Sequence, residues 1–275
     1  NSLDDQSIDR DTGIRGLSLQ FKSNPWNIHF ITGQSNIRLS TPTNPSTRKH
    51  DYTTFQNMYG VNVDYNFDSH ILGSSFVQSK EKHGVNLYST IPDTVDLKNQ
   101  LMSIKYIYNS SLFDIYTEYI KNQSYKFDEE DNIFRSHADG RGLYSNLNLY
   151  LDFFSLNIEY INYRFGTLSP AERSNFVDNY GLYQPFQTPP IAMNIPEYVL
   201  MNRVLHQTDF NNEVGYKIEL MSLLTDWMEV TGTYSVSSRS HKWVMDSDYQ
   251  WFKVGDATVL PLTDKAATPF RDIYG

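Results

Sequence analysis

Cysteine is absent from the 275 residues, which excludes a disulfide framework and any thiolate metal or redox centre. Long apolar runs are absent too: nothing approaches the roughly 18 consecutive apolar residues of a spanning helix. Alanine is scarce and mean hydropathy is −0.51. Positive charge is in deficit, with 23 Lys and Arg against 32 Asp and Glu for a formal net charge of −9. That balance counts against nucleic acid as a partner, because such binding needs a basic stripe to displace phosphate counterions. The chain opens at Asn1 with neither an initiator Met nor an apolar signal segment, so it reads as a processed form or a fragment.

Aromatic residues, by contrast, are abundant, with 20 Tyr and 16 Phe. The organising stretch is Gly142 to Phe165, which is written in period two. Leu143, Leu147, Leu149 and Leu151 fall on one side, and Tyr144, Asn146, Asn148 and Tyr150 on the other. After Asp152-Phe153 the alternation resumes, with Leu156 and Ile158 against Asn157 and Glu159. A strand separates two environments in this way, and two strands with almost no loop between them form an antiparallel hairpin. Ten alternating residues in a tilted strand are enough to cross a bilayer's hydrocarbon core. A membrane barrel puts only every second residue in lipid, which reconciles this pattern with a low mean hydropathy.

Four further hairpins follow the same grammar. They turn at Ser23-Asn24-Pro25, Asp68-Ser69, Asn109-Ser110-Ser111 and Thr225-Asp226, and Phe270 to Gly275 looks like the start of another strand. The segments between hairpins, Gln34–Phe55, Ser79–Gln100, Asn122–Arg141, Gly166–Phe210 and Ser237–Thr268, read as long polar loops. Short turns alternating with long loops are the asymmetry of outer-membrane barrels, and a soluble sandwich has no reason to keep it. The expected fold is therefore all-β: an antiparallel up-and-down transmembrane barrel of about ten or more strands, forming one domain over 1–275. Tyr59, Tyr108, Tyr119 and Tyr160 fall where interfacial girdles would lie. Ten strands would close a narrow barrel filled by side chains, and more would give a wider pore.

This grammar is joined by Ser174-Asn175-Phe176, Pro189-Pro190 and Asn212-Glu213-Val214-Gly215-Tyr216, and together they resemble a porin-like family of Gram-negative outer-membrane β-barrels. The resemblance implies a location in the cell outer membrane and carries over no catalytic residue. Such barrels end in a strand with a terminal aromatic, whereas this chain stops at Ile273-Tyr274-Gly275, so the C-terminal part of the barrel is expected to be missing.

Lumen-facing candidates are Arg15, Asn62, Asp64, Lys105, Asp114, Glu118, Asn146, Asn148, Asn157, Glu159, Glu213, Lys217, Glu219 and Glu229. Acids exceed bases among them, and such a wall favours cations weakly; a merely solvated face would have the same composition. Ser136-His137 is the nearest approach to a nucleophile and base, but it reads as loop, and adjacent strand residues would point apart. Asp128 to Asp131 with Asn132 could offer oxygens to a hard cation, yet lacks the spacing of a calcium loop and reads better as a solvated acidic turn. No cofactor, metal or catalytic site is expected. The proline- and aromatic-rich segment 166–210 reads either as a lumen plug or cap, or as an exposed loop. The expected function is a channel or transporter in the outer membrane. The alternatives are an adhesive surface protein anchored by a filled barrel and, third, a barrel hydrolase. Expected partners are outer-membrane lipid and either a small solute or a surface ligand at the long loops.

Overall fold

The computed structural model describes residues 14–39, 52–84, 94–165, 212–225, 228–267 and 270–274. Its strands are β1 (Ile14–Ser23), β2 (Trp26–Leu39), β3 (Tyr52–Phe67), β4 (His70–Gly84), β5 (Thr94–Asn109), β6 (Phe113–Asp128), β7 (Ile133–Leu151), β8 (Phe154–Arg164), β9 (Glu213–Thr225), β10 (Met228–Ser238), β11 (Lys242–Met245), β12 (Trp251–Val254) and β13 (Phe270–Tyr274). β1 through β10 pair in sequence order, β13 joins β10, and every pairing is antiparallel. The protein is thus an all-β, up-and-down meander. The 11-stranded sheet does not close on itself: β1 pairs with β2 alone and β13 with β10 alone among the described residues.

Short turns at one end of the sheet are built from local polar chemistry. Asp68 takes a left-handed backbone (φ 49°), which its short polar side chain tolerates. Between β5 and β6, Ser110 Oγ accepts from Phe113 N at 3.0 Å and donates to Phe113 O at 2.8 Å, while Asp114 Oδ1 accepts from Ser110 N.

At the other end the strands run far past the apolar pattern. Much of Gln34–Phe55, Ser79–Gln100 and Asn122–Arg141, read from sequence as loop, is strand. β6 and β7 meet in a tight turn of four residues, with a bulge at Ser124/Tyr125. The reason lies in the environment: beyond the apolar band both faces carry polar groups, so alternation of hydropathy disappears although the ladder continues. Ser237–Thr268 likewise contains the β11–β12 hairpin and a 3-10 turn at Lys265–Ala267.

The two faces of the sheet are inverted relative to a soluble protein. Leu17, Leu19, Phe21, Leu72, Ile104 and Leu220 are exposed, Ile104 by 65%. Asp64, Ser79, Glu81, Asn99, Glu213 and Lys217 are buried. Leu147, Leu149 and Ile158 belong to the outward face and are half-buried by strand neighbours. The buried apolar cluster of Ile120, Tyr144, Ile161, Tyr163 and Phe165 forms on the opposite, inward face. Gly140 and Gly142 make room for it, since a Cβ on either would come within 2.6 or 2.8 Å of Phe165.

Following register across the sheet, Tyr59 stands opposite Gln78, then Gln100, then Gln123, whereas Tyr119 lies four residues closer to the short turns on β6. Tyr119 leads through Leu143 to Asn162, and Tyr160 lies two residues closer still. A band that descends from strand to strand is what strand tilt produces in a barrel wall. On β3 the outward apolar run is Tyr59 to Phe67, nine residues. At about 3.4 Å per residue and a tilt of roughly 40° it stands about 23 Å tall, close to the about 25 Å apolar band of such barrels.

If the polar extensions are true ladder, backbone amides of Ser79–Glu81, Leu97–Gln100 and Asn122–Ser124 will exchange with deuterium as slowly as those of Val61–Asp64. Exchange at loop rates, seen by mass spectrometry, would refute the extended strands.

Candidate functional site

The candidate site is the inward face of the sheet between β2 and β9. At its centre Lys105 Nζ on β5 reaches across β4 to Asp64 Oδ1 on β3 at 2.9 Å. Gly73 on β4 stands between them, and a Cβ there would come within 2.3 Å of Lys105 Cε and 2.5 Å of Asp64 Oδ1. The bare backbone of Gly73 is thus the condition for an ion pair that skips a strand. Asp64 Oδ2 also accepts from Asn62 Nδ2 at 3.0 Å and Asn27 Nδ2 at 3.4 Å, and Ser75 Oγ donates to Asn62 Oδ1 at 2.8 Å. Glu118 stands directly opposite Lys105 and accepts from Tyr116 Oη at 2.6 Å.

A second polar centre lies on β7, β8 and β9. Lys217 Nζ is 3.0 Å from Glu219 and 3.8 Å from Glu159, which accepts from Tyr144 Oη at 3.3 Å. Asn157 Nδ2 donates to Asn148 Oδ1 at 2.6 Å, and Asn148 Nδ2 to Asn146 Oδ1 at 2.8 Å. Asn148, Tyr150, Asn157, Glu159, Lys217 and Glu219 line a hollow of about 330 Å³ on this face. Amide, phenol and charged groups that already satisfy one another form a hydrophilic wall without a fixed ligand cage; acids outnumber bases along it.

Most of the sequence-predicted lumen residues share this face. Asn62, Asp64, Lys105, Glu118, Asn146, Asn148, Asn157, Glu159, Lys217 and Glu219 are brought together there by register. Glu213 is on the same face, buried opposite Tyr163. Asp114 serves the β5–β6 turn, binding Ser110 N and Tyr150 Oη. Glu229 lies exposed at the short-turn end beside a register shift at Met228/Glu229. Arg15 is a correction: it has the parity of Leu17, Leu19 and Phe21 and lies on the outward face, opposite Gln34. Two residues from Leu17, a strand side chain can point nowhere else.

Three residues that sequence reasoning passed over shape the site. Gly73 and Tyr116 sit at positions whose partners come from other strands, so no local signal marks them. Asn27 follows the turn and reads locally as an ordinary strand polar residue.

The remaining sequence candidates resolve differently. Ser136 pairs with Tyr125 within the β6–β7 ladder, so the segment is strand and not loop. Asp128 and Asp131 both contact Arg135, and Asp128 Oδ1 accepts from Glu130 N at 3.1 Å, so the acidic turn is held by its own cation. Segment 166–210, read as plug or loop, lies outside the described residues. Above the sheet, residues 239–267 fold against the outward side of β8: Tyr160 Oη donates to Val259 O at 2.7 Å and Arg164 Nη2 to Thr258 O at 2.9 Å. His241 in that segment is held below its ordinary pKa, first by burial and then by Lys253 and Arg164, with Asp256 opposing.

No family model and no curated protein matches this chain. Among solved structures it is similar to two forms of the FrpB iron transporter of Neisseria meningitidis. The F5-1 variant in its apoprotein form is 13% identical over 87% of this chain and 39% of that one, with a TM-score of 0.46. The F3-3 variant is 11% identical over 94% of this chain and 41% of that one, with a TM-score of 0.45. The chain spans about two fifths of the length of those transporter chains.

The role of Gly73 gives a clear contrast. Gly73→Ala should lower the unfolding midpoint measured in detergent micelles, by about 1–3 kcal/mol. Gly232→Ala, where nothing lies within 4 Å of the added carbon, should have little effect. Lys105→Met should reproduce the loss by leaving Asp64 uncompensated.

Proposed function

We propose that this chain forms the wall of a porin-like outer-membrane β-barrel that passes a polar solute along its inward face, as a channel or transporter. The observation that carries the reading is the inversion of the sheet: exposed aliphatics outward, buried ion pairs and amide ladders inward. Water cannot stabilise that arrangement, because exposed apolar area costs about 25 cal/mol per Å². Hydrocarbon can. The inward acids Asp64, Glu118, Glu159 and Glu219 exceed Lys105 and Lys217, so a small cation or a cationic solute is favoured over an anion. The partners on this reading are membrane lipid at the band and a solute at the inward face.

A second reading has its own support. The β11–β12 hairpin beyond the sheet exposes Val244, Met245, Tyr249 and Phe252, a surface suited to holding a partner. A surface-binding protein anchored by the same sheet would present it.

Two measurements separate these possibilities. In planar bilayers the full chain should give discrete conductance steps with a reversal potential showing cation preference, weakened by Glu118→Gln with Glu159→Gln. Insertion without steps would favour the anchored binding protein. Independently, Ile104→Lys should cost about 2–4 kcal/mol in lipid vesicles if Ile104 faces acyl chains. In a water-exposed position it would change stability by no more than about 0.5 kcal/mol, and that result would remove the membrane reading altogether.

A further inference from the structure

We infer that the outward face carries a lipid-binding site: a basic belt on the long-connection side of the apolar band that holds the phosphate groups of lipid headgroups in the adjoining leaflet. This inference rests on the membrane reading above.

The belt is made of Arg15, Lys80, Lys98, Lys121, Arg141 and Arg164. Parity puts each on the outward face: Lys121 with Tyr119, Arg141 with Leu143, Lys98 with Met102, Lys80 with Phe76. Register then sets cations side by side. Lys80 is directly opposite Lys98, and Lys121 is opposite Arg141, which is opposite Arg164. Like charges in direct cross-strand register destabilise a sheet, so the arrangement asks for a counter-anion.

The described residues do not supply one at this level. Among the described residues, the inward cations Lys105 and Lys217 each have a carboxylate partner, and so do Arg135 and Lys242. Among the described residues none of the six belt cations forms a salt bridge. Lys98 instead rests 5.5 Å from the Tyr125 ring centroid, and Arg164 gives one hydrogen bond to Thr258 O while its buried Nε has no partner. The acids of the same face, Asp139 and Asp96, come two residues further from the band on their strands, after the cations.

Position identifies the anion. From β4 and β5 to β6 the belt descends with the tyrosine row, and from β6 to β8 Lys121, Arg141 and Arg164 stay level. On β6, Lys121 is two residues beyond Tyr119, while on β4 and β5, Lys80 and Lys98 are two beyond the Gln78 and Gln100 that continue the row of Tyr59. A row that keeps its distance from a tilted apolar band follows the bilayer surface, where phosphates lie. A protein partner would impose no such drift. Three cations on adjacent strands span about 10 Å, wide enough for one phosphorylated headgroup. All this occurs in a chain of net charge −9, so the cations are gathered here against the overall balance.

The test uses the full chain purified in detergent and native mass spectrometry to read retained lipid. The probes are a diphosphorylated glucosamine-disaccharide lipid, the same lipid with its phosphates removed, and inorganic phosphate as competitor. Wild type should retain the phosphorylated lipid and not the dephosphorylated one, and should release it at high salt. The variant Lys121→Gln/Arg141→Gln/Arg164→Gln should bind about a hundredfold more weakly, at about a factor of five per cation. The control Lys22→Gln, at the short-turn end, should be unchanged. If the triple variant fails to fold, the exposed Arg141→Gln alone should still weaken retention about fivefold. Undiminished retention in a folded variant, equal retention of the dephosphorylated lipid, or binding of inorganic phosphate with no retained lipid would each overturn the inference. Failure of the membrane reading shows differently: wild-type chain would stay monodisperse without detergent and would not insert into vesicles.

Discussion

The structure depends on register. Neighbouring strands in an antiparallel meander keep every directly opposed pair on one face, so eleven strands share two environments. With β3 held in place, a slip of one residue between β3 and β4 would bring Phe76 and the other outward residues of β4 to the face that Asp64 occupies. Because polar and apolar residues are segregated by parity over the whole sheet, such a slip costs many groups at once. The short turns fix where each pair begins, and this explains why their polar chemistry is local and specific, as at Ser110 and Asp114.

Within that frame the inward face works by mutual satisfaction. Lys105 and Asp64 are on strands that do not touch, and the pair exists because Gly73 leaves the space between them open. Lys217 is balanced by Glu219 and Glu159, and the asparagines of β7 and β8 hydrogen-bond in a chain. Side chains held this way present a polar surface of fixed shape. Toward the long connections the same face is closed over by Tyr163 and Phe165, so hydrophilic and packed zones succeed each other along the strands.

The outward face shows a vertical order of its own. At the short-turn end Trp26, Tyr65, Phe67, His70 and Tyr108 stack ring against ring, with centroids between 4.7 and 6.0 Å. Aliphatics follow, then Tyr59, Tyr119 and Tyr160, then the cations. Of the tyrosines read from sequence as girdle residues, Tyr108 joins the belt at the short turns and the other three bound the opposite edge. That order is the one expected across an interface, a hydrocarbon layer and a second interface.

The sequence by itself determined the strands that alternate, the short turns, the antiparallel meander and most residues of the inward face, because period two is a local property that exposure to two solvents writes into each strand. It did not reveal the strand extensions such as Ser79–Glu81 and Asn122–Ser124, where both faces are polar and no alternation remains. Nor did composition place Arg15 correctly, since only its parity with Leu17 decides the matter. Tertiary structure alone decided that Lys105 meets Asp64 across Gly73, that Arg135 neutralises the acidic turn, and that Lys121, Arg141 and Arg164 stand in one row. Each of these joins residues distant in the chain, and the distance between them is set by the register of the ladder, which no single strand contains.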